Sequence, residues 1–265
     1  MTSDTANPPA SVRDPIRIVP LHTPPELTRP FDVAGVAPAA APHLTYRGGP
    51  LLTSVKVFTV YWGAAWATAP LADLAKKIDG FFDFVLTSAL MDQLSEYSVP
   101  GKAIGHGSRI GRAVISHPAP KHAVTDAAIQ HLLTGQLGTA GSGFPKADAN
   151  TLFFVYTPPG TAIVQGGSRS CQAFCGYHSD LPGPIFYAAM PYPGCTGCTG
   201  GLAPFDALTS TSSHELCEAV TDPVPGSGWY DDVHGEIGDI CAWKTRQIGG
   251  YTVQLEWSNT TNTCR

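Results

Sequence analysis

Apolar residues along this chain alternate between strand-like and helix-like spacing. Residues 51–62 (LLTSVKVFTVYW) are β-branched and aromatic and predict the first strand. Leu71, Leu74, Ala75, Ile78, Phe82 and Val85 then recur at helical spacing, with Gly80 interrupting the helix but not forbidding it. Residues 110–115 predict a shorter strand. Thr125 stands where it can cap a helix carrying Ala128, Ile129, Leu132 and Leu133. Thr151–Tyr156 (TLFFVY), closed by Pro158-Pro159-Gly160, and Ile185–Met190, closed by Pro191, predict two more strands. A last helix begins near Asp206 and stops before Pro223, because the residue preceding a proline avoids the α region.

The order is strand, helix, strand, helix, strand, strand, helix, then a loop-rich tail, and no internal repeat is visible. We expect an α/β (α+β) zincin-like sandwich, in which a mixed sheet carries an active-site helix and the C-terminal part is loop-rich and disulfide-bearing. Residues 1–45 are rich in Pro and Ala with little periodicity. They predict a disordered or extended N-terminal segment, a plain linker or a pro-segment over the site. Residues 46–265 predict one catalytic-type domain.

The last predicted helix holds the chemistry. Ser213-His214-Glu215-Leu216-Cys217-Glu218 is the zinc-protease pattern His-Glu-x-x-His with Glu in place of the second His. At 100° per residue, with His214 at zero, Glu218 falls near 40°, Asp222 near 80° and Glu215 near 100°. Leu216, Ala219 and Val220 fall between about 140° and 240°, so one face is ligand-like and the other apolar. The competing reading is a solvent-facing helix with ordinary surface charges.

A catalytic zinc needs a third protein ligand and an open position for water. Glu236 and Asp239, in Gly235-Glu236-Ile237-Gly238-Asp239-Ile240-Cys241, can supply it. One would bind metal while the other orients His214; the bland alternative is a pair of turn acids around Gly238. Asp222, at the helix end, is a weaker candidate. A site of one His and two carboxylates acidifies bound water less than a three-His site, which gives Glu215 more to do as general base. Oxygen-rich ligation leaves Mn2+ or Ca2+ open beside Zn2+. Tyr230 could hydrogen-bond an oxyanion or be a packed aromatic. His178 could be a ligand, a transition-state donor or a loop histidine beside a disulfide. His106, His117, His122 and His131 lack a partner pattern and are read as surface residues. No Gly-x-Ser-x-Gly elbow and no phosphate-binding glycine loop after a strand are present.

Composition narrows the remaining classes. A net charge of -5 without a Lys/Arg run argues against nucleic acid, and no apolar run is long enough for a membrane span. All seven cysteines lie after residue 170, which points to disulfides and an oxidising compartment. Seven is odd, and Cys217 is expected to be the free thiol. Cys241 is expected to pair with Cys264, and Cys171 with Cys175 or Cys195 with Cys198. Those last four also admit a four-Cys zinc site. The first residues show no basic and apolar leader, so export would rely on a signal not visible here.

Several segments, in order, resemble the EXORDIUM family, also called phosphate-induced proteins. They are Gly48-Gly49-Pro50-Leu51-Leu52 with the strand to Trp62-Gly63, and Phe174-Cys175-Gly176-Tyr177-His178. With them stand His214-Glu215-Leu216-Cys217-Glu218 with Pro223, Trp229-Tyr230, and 236–241. The resemblance covers residue 45 to the C-terminus and implies a secreted, disulfide-bearing protein; plant members are linked to cell-wall growth. Cys217 departs from the small residue expected at that position. The expected function is a secreted zinc-dependent peptidase acting on a peptide or protein substrate. The alternatives are a metal-dependent hydrolase of other amides or esters, and a non-enzymatic secreted cell-surface or carbohydrate-associated binding protein with a structural metal.

Overall fold

The computed structural model describes residues 19–22 and 41–265. In chain order the strands are β1 (Val19–Pro20), β2 (Thr45–Tyr46), β3 (Lys56–Trp62), β4 (Ser108–Ile115), β5 (Ala123–Thr125), β6 (Thr151–Tyr156), β7 (Ala162–Gln165) and β8 (Ser168–Arg169). They continue with β9 (Phe174–Leu181), β10 (Ile185–Met190), β11 (Trp229–Tyr230), β12 (Thr245–Ile248), β13 (Tyr251–Gln254), β14 (Trp257–Ser258) and β15 (Thr263–Cys264). The helices are α1 (Leu71–Val85), α2 (Ala89–Leu94), α3 (Asp126–Leu137), α4 (Thr196–Thr199) and α5 (Pro204–Thr221).

The main sheet runs in the order β1-β9-β10-β6-β3-β4. β10, β6, β3 and β4 are parallel, β9 runs antiparallel to β10, and β1 antiparallel to β9. Side chains alternate across a pleated strand, so a strand covered on both faces reads as a continuous apolar run. β6 shows this. Leu152, Phe154 and Tyr156 enter the core shared with α1, α2 and α5, while Phe153 and Val155 enter the core shared with α3. The fold is therefore mixed α/β in three layers, with α1, α2 and α5 on one face of the sheet and α3 on the other. Several smaller sheets lie outside it, among them the β12–β13 hairpin.

α5 departs from the expected amphipathic helix. Residues 207–221 are all buried, because the main sheet lies on one side of the helix and β13 on the other. No face of it is a solvated row of charges. The first half can be enclosed because its polar side chains are small and bond to backbone. Ser213 Oγ donates to Ser210 O and accepts from Gln254 N, and Thr209 Oγ1 donates to Thr252 O on β13. The helix ends at Thr221, two residues before Pro223.

Other boundaries shift modestly. The first strand begins at Lys56 rather than at 51, and Thr125 Oγ1 accepts from Ala128 N as a cap. Several elements were missed, among them α2, the β12–β13 hairpin and residues 174–181, which read as loop around a disulfide and form the eight-residue strand β9. Cys175, Gly176 and Ser179 weaken its apolar signature. Of residues 1–45, segments 19–22 and 41–45 are described; Val19 and Pro20 pair with β9, and Val19 and Leu44 are buried rather than draped over the surface. Residues 1–18 and 23–40 lie outside the described residues. No helix among the described residues is long and apolar enough to cross a membrane.

Three disulfides close the C-terminal part: Cys171–Cys195, Cys175–Cys198 and Cys241–Cys264. The last pairing and the free, buried Cys217 agree with expectation. The neighbour pairings Cys171–Cys175 and Cys195–Cys198 do not occur. The chain doubles back, so each cysteine of 171–175 faces one of 195–198, and all four sulfurs are consumed in bonds rather than left for zinc. Cys241–Cys264 pins the segment after Asp239 to β15 across 23 residues. A loop of that length is worth about 3 kcal/mol in the chain-entropy account. Replacing Cys241 and Cys264 together by Ser should lower the unfolding free energy by about that amount in urea titration. An unchanged urea midpoint would refute this.

Candidate metal centre

α5 brings its two motif residues together as a helix turn must. His214 Nε2 lies 2.9 Å from Glu218 Oε1. The approach lacks the alignment of a hydrogen bond, and both His214 ring nitrogens are buried with no hydrogen-bond partner. A close approach of two lone-pair donors without a bond between them is what a shared cation would explain. The third donor comes from the turn that follows β11. Asp239 N donates to the same Glu218 oxygen at 3.2 Å, and ligand atoms of His214, Glu218 and Asp239 lie within 4.8 Å of one another.

Gly238 permits this convergence. A Cβ on it would lie 2.8 Å from His214 Nδ1 and 2.9 Å from Glu218 Oε1, so only glycine lets the turn press onto the helix. Gln254 Nε2, reaching from β13, donates to Gly238 O at 2.9 Å and fixes the turn.

A second group forms on the sheet side of Glu218. His178 stands on β9, and its neighbour Tyr177 faces the α3 core, so His178 faces α5. Its Nδ1 lies 3.2 Å from Glu215 Oε2 and 3.5 Å from Glu218 Oε2. Its Nε2 lies 3.0 Å from Asp222 O and 3.5 Å from Glu236 Oε1. His178, Glu215 and Glu218 are thus a second set able to hold an ion. Glu218 belongs to both sets, one oxygen turned to each.

The two downstream acids separate in role. Asp239 joins His214 and Glu218, whereas Glu236 is placed against His178 and has both carboxyl oxygens buried without partners. Asp222 is not a ligand in this arrangement. Its carboxylate accepts backbone N–H groups of Gly226, Ser227 and Gly228 and shapes the turn after α5. Tyr230 lies on β11 with the Arg47 guanidinium 4.3 Å over its ring. Glu256 gave no motif signal, yet it is fully buried with both oxygens unpartnered and lies in the field of His214.

Electrostatics follow from enclosure. His178, His214, Glu215, Glu218 and Glu236 are each at most 2% exposed. Burial alone would lower the imidazoles, but Glu236, Glu215 and Glu218 around His178, and chiefly Glu218 beside His214, raise both well above the usual range. Burial would raise the Glu218 carboxyl; the charges of His214 and His178 and their contacts outweigh it and bring it to about 2. Burial dominates at Glu215 and Glu236 and pushes both upward. The cavities near Trp62 and Val124 (290 Å³) and near Gly63 and Pro159 (450 Å³) are lined by other residues.

No family model, curated protein or solved structure matches the chain. The functional reading therefore rests on the residues themselves.

Gly238→Ala should cost the protein its metal retention and lower its melting temperature, while Gly135→Ala, in α3 with open space around it and no positive φ, should leave metal content unchanged; metal analysis after gel filtration reads this. In the metal-free chain, the Glu218 pKa is depressed from 4.5 to about 2. Its ionised form therefore stabilises the fold above about pH 4.5, and that contribution is lost as pH falls towards 2. Denaturant midpoints measured across that range should fall less steeply for Glu218→Gln than for wild type.

Proposed function

We propose that the chain is a secreted, metal-dependent peptidase with a zincin-like active-site helix. The observation that carries this reading is the convergence of His214, Glu218 and Asp239 with partnerless imidazole nitrogens, beside a second helix carboxylate, Glu215, whose Oε1 is buried and unpartnered. His214, Glu218 and Asp239 would hold the ion, Zn2+ or an oxygen-preferring Mn2+ or Ca2+. A divalent ion there supplies a Lewis acid that acidifies a water molecule.

Charge balance supports this division of labour. Ionised Glu218 and Asp239 offset a divalent charge. Protonated His178 and ionised Glu215 form a second neutral pair 3.2 Å apart. Glu215 Oε1 is then free to accept the water proton, and the His178 imidazolium holds Glu215 in place through Oε2. Asp222 O lies 3.0 Å from the far nitrogen of His178 and fixes its ring, with Glu236 3.5 Å from the same nitrogen. The three disulfides support an oxidising compartment, and the segments resembling the EXORDIUM family agree with a secreted protein.

One observation favours a non-enzymatic reading: every donor except Asp239 is sealed from solvent, as in a structural ion site. The two readings part in one experiment. The peptidase should bind one equivalent of metal per chain, hydrolyse casein, and lose hydrolysis to a chelator. Glu215→Gln should keep the metal and lose at least about 100-fold in rate. Full activity of Glu215→Gln would end the mechanism. Stable metal with no hydrolysis and a large drop in melting temperature on chelation would establish the structural ion instead.

A further inference from the structure

The sheet edge beside Glu215 is occupied by the chain's own N-terminal region. Val19 pairs with Gly176 and Pro20 with Phe174 on β9. Gly176 is the residue against which Glu215 rests. A Cβ there would lie 3.1 Å from Glu215 Oε1 and 2.9 Å from the Thr211 methyl. β1 is therefore one backbone away from the partnerless oxygen of the candidate base.

Segment 19–22 has a fitted seat. Val19 is 1% exposed and packs on Cys175 and Cys198. Leu21 lies on Gly197, where a Cβ would come within 3.2 Å of it. His22 N donates to Gly197 O at 2.8 Å. The His22 ring stacks on Trp243 with centroids 3.6 Å apart, and its other edge is so close to Gly200 that any side chain there would collide with it. Gly200 adopts the left-handed conformation with φ 55°, so its missing side chain serves both the turn and the ring. Cys175–Cys198 ties the floor of this seat to β9, and Cys171–Cys195 ties it to the residues just before that strand. An exposed strand edge offers unpaired N–H and C=O groups to any extended chain, and pockets for its side chains set the preference.

We propose that the groove formed by the β9 edge, α4 and Trp243 is a binding subsite for an extended polypeptide, and that segment 19–22 is the chain's own occupant, keeping the site closed. The occupant defines the ligand class: an uncharged extended segment with an aliphatic residue opposite Gly176, then Pro, then Leu on Gly197, then a flat ring on Trp243. As a claim about substrate, this rests on the peptidase reading; as a claim about binding, it does not.

The test uses the full chain carrying Leu21→Asp or His22→Asp, either of which puts a charge into the apolar seat. The probe is a fluorescein-labelled Val-Pro-Leu-His peptide, followed by anisotropy. A tethered competitor acts at about millimolar effective concentration, so the released variants should bind the probe at least about tenfold more tightly than wild type. Casein hydrolysis by the metal-loaded variants should rise with it. Near-UV dichroism confirms the fold, and His22→Asp carries the test if Leu21→Asp does not fold. Absent binding to a folded variant, or equal binding by variant and wild type, overturns the groove. Tighter binding by the variants with no metal-dependent hydrolysis by any form upholds the groove and overturns the peptidase.

Discussion

Dry enclosure of ionisable side chains is the constraint on which this structure turns. α5 carries His214, Glu215 and Glu218 into a space closed by the main sheet on one side and β13 on the other. Isolated charges in such a place cost several kcal/mol each, so their arrangement has to supply the compensation that water would have given. It does so in two halves meeting at Glu218, with His214 and Asp239 on one oxygen and His178 and Glu215 on the other. Asp222 meets the same demand by another route, with three backbone N–H groups. Glu236 and Glu256 meet it least well, since both keep two unpartnered oxygens. Around Glu236 and the motif residues, that deficit is a physical reason to read the cluster as chemistry rather than as packing.

Much of the scaffold was legible because its strands are long apolar runs. Thr151–Tyr156 and Ile185–Met190 stand where the pattern put them, and the helix over 71–85 carries the spacing that predicts it. β9 was not legible. Its outward residues face α3, but its inward ones are Gly176, His178 and Asp180, so the apolar rhythm fails along the stretch that holds chemistry. The helical wheel found the right grouping of His214 and Glu218 and the wrong surroundings. A period of 3.6 shows which residues share a face, not what covers that face, and here the turn at Gly238, braced by Gln254 of β13, and His178 of β9 cover it.

The acids were readable as a set and not as individuals. Glu236 and Asp239 sit three apart around Gly238 with equal sequence claims. Their roles differ because the turn delivers Asp239 to Glu218 while Glu236 points to a strand 58 residues earlier in the chain, at His178. Glu256 had no sequence signature at all, because its significance comes only from lying in the field of His214. Pairwise chemistry of this kind is decided by tertiary approach.

Cys217 shows what this enclosure does to reactivity. It is the odd sulfur in a protein with three disulfides, and it sits in the middle of α5 at 0% exposure. Burial, reinforced by Glu256 and Glu218, pushes its thiol well above the usual range, so it has almost no thiolate with which to attack a neighbouring disulfide. Once α5 is seated, the helix acts as a protecting group on its own cysteine. Scrambling by this thiol is then confined to the interval before that seating, which ties correct sulfur pairing to the docking of the helix that bears His214, Glu215 and Glu218.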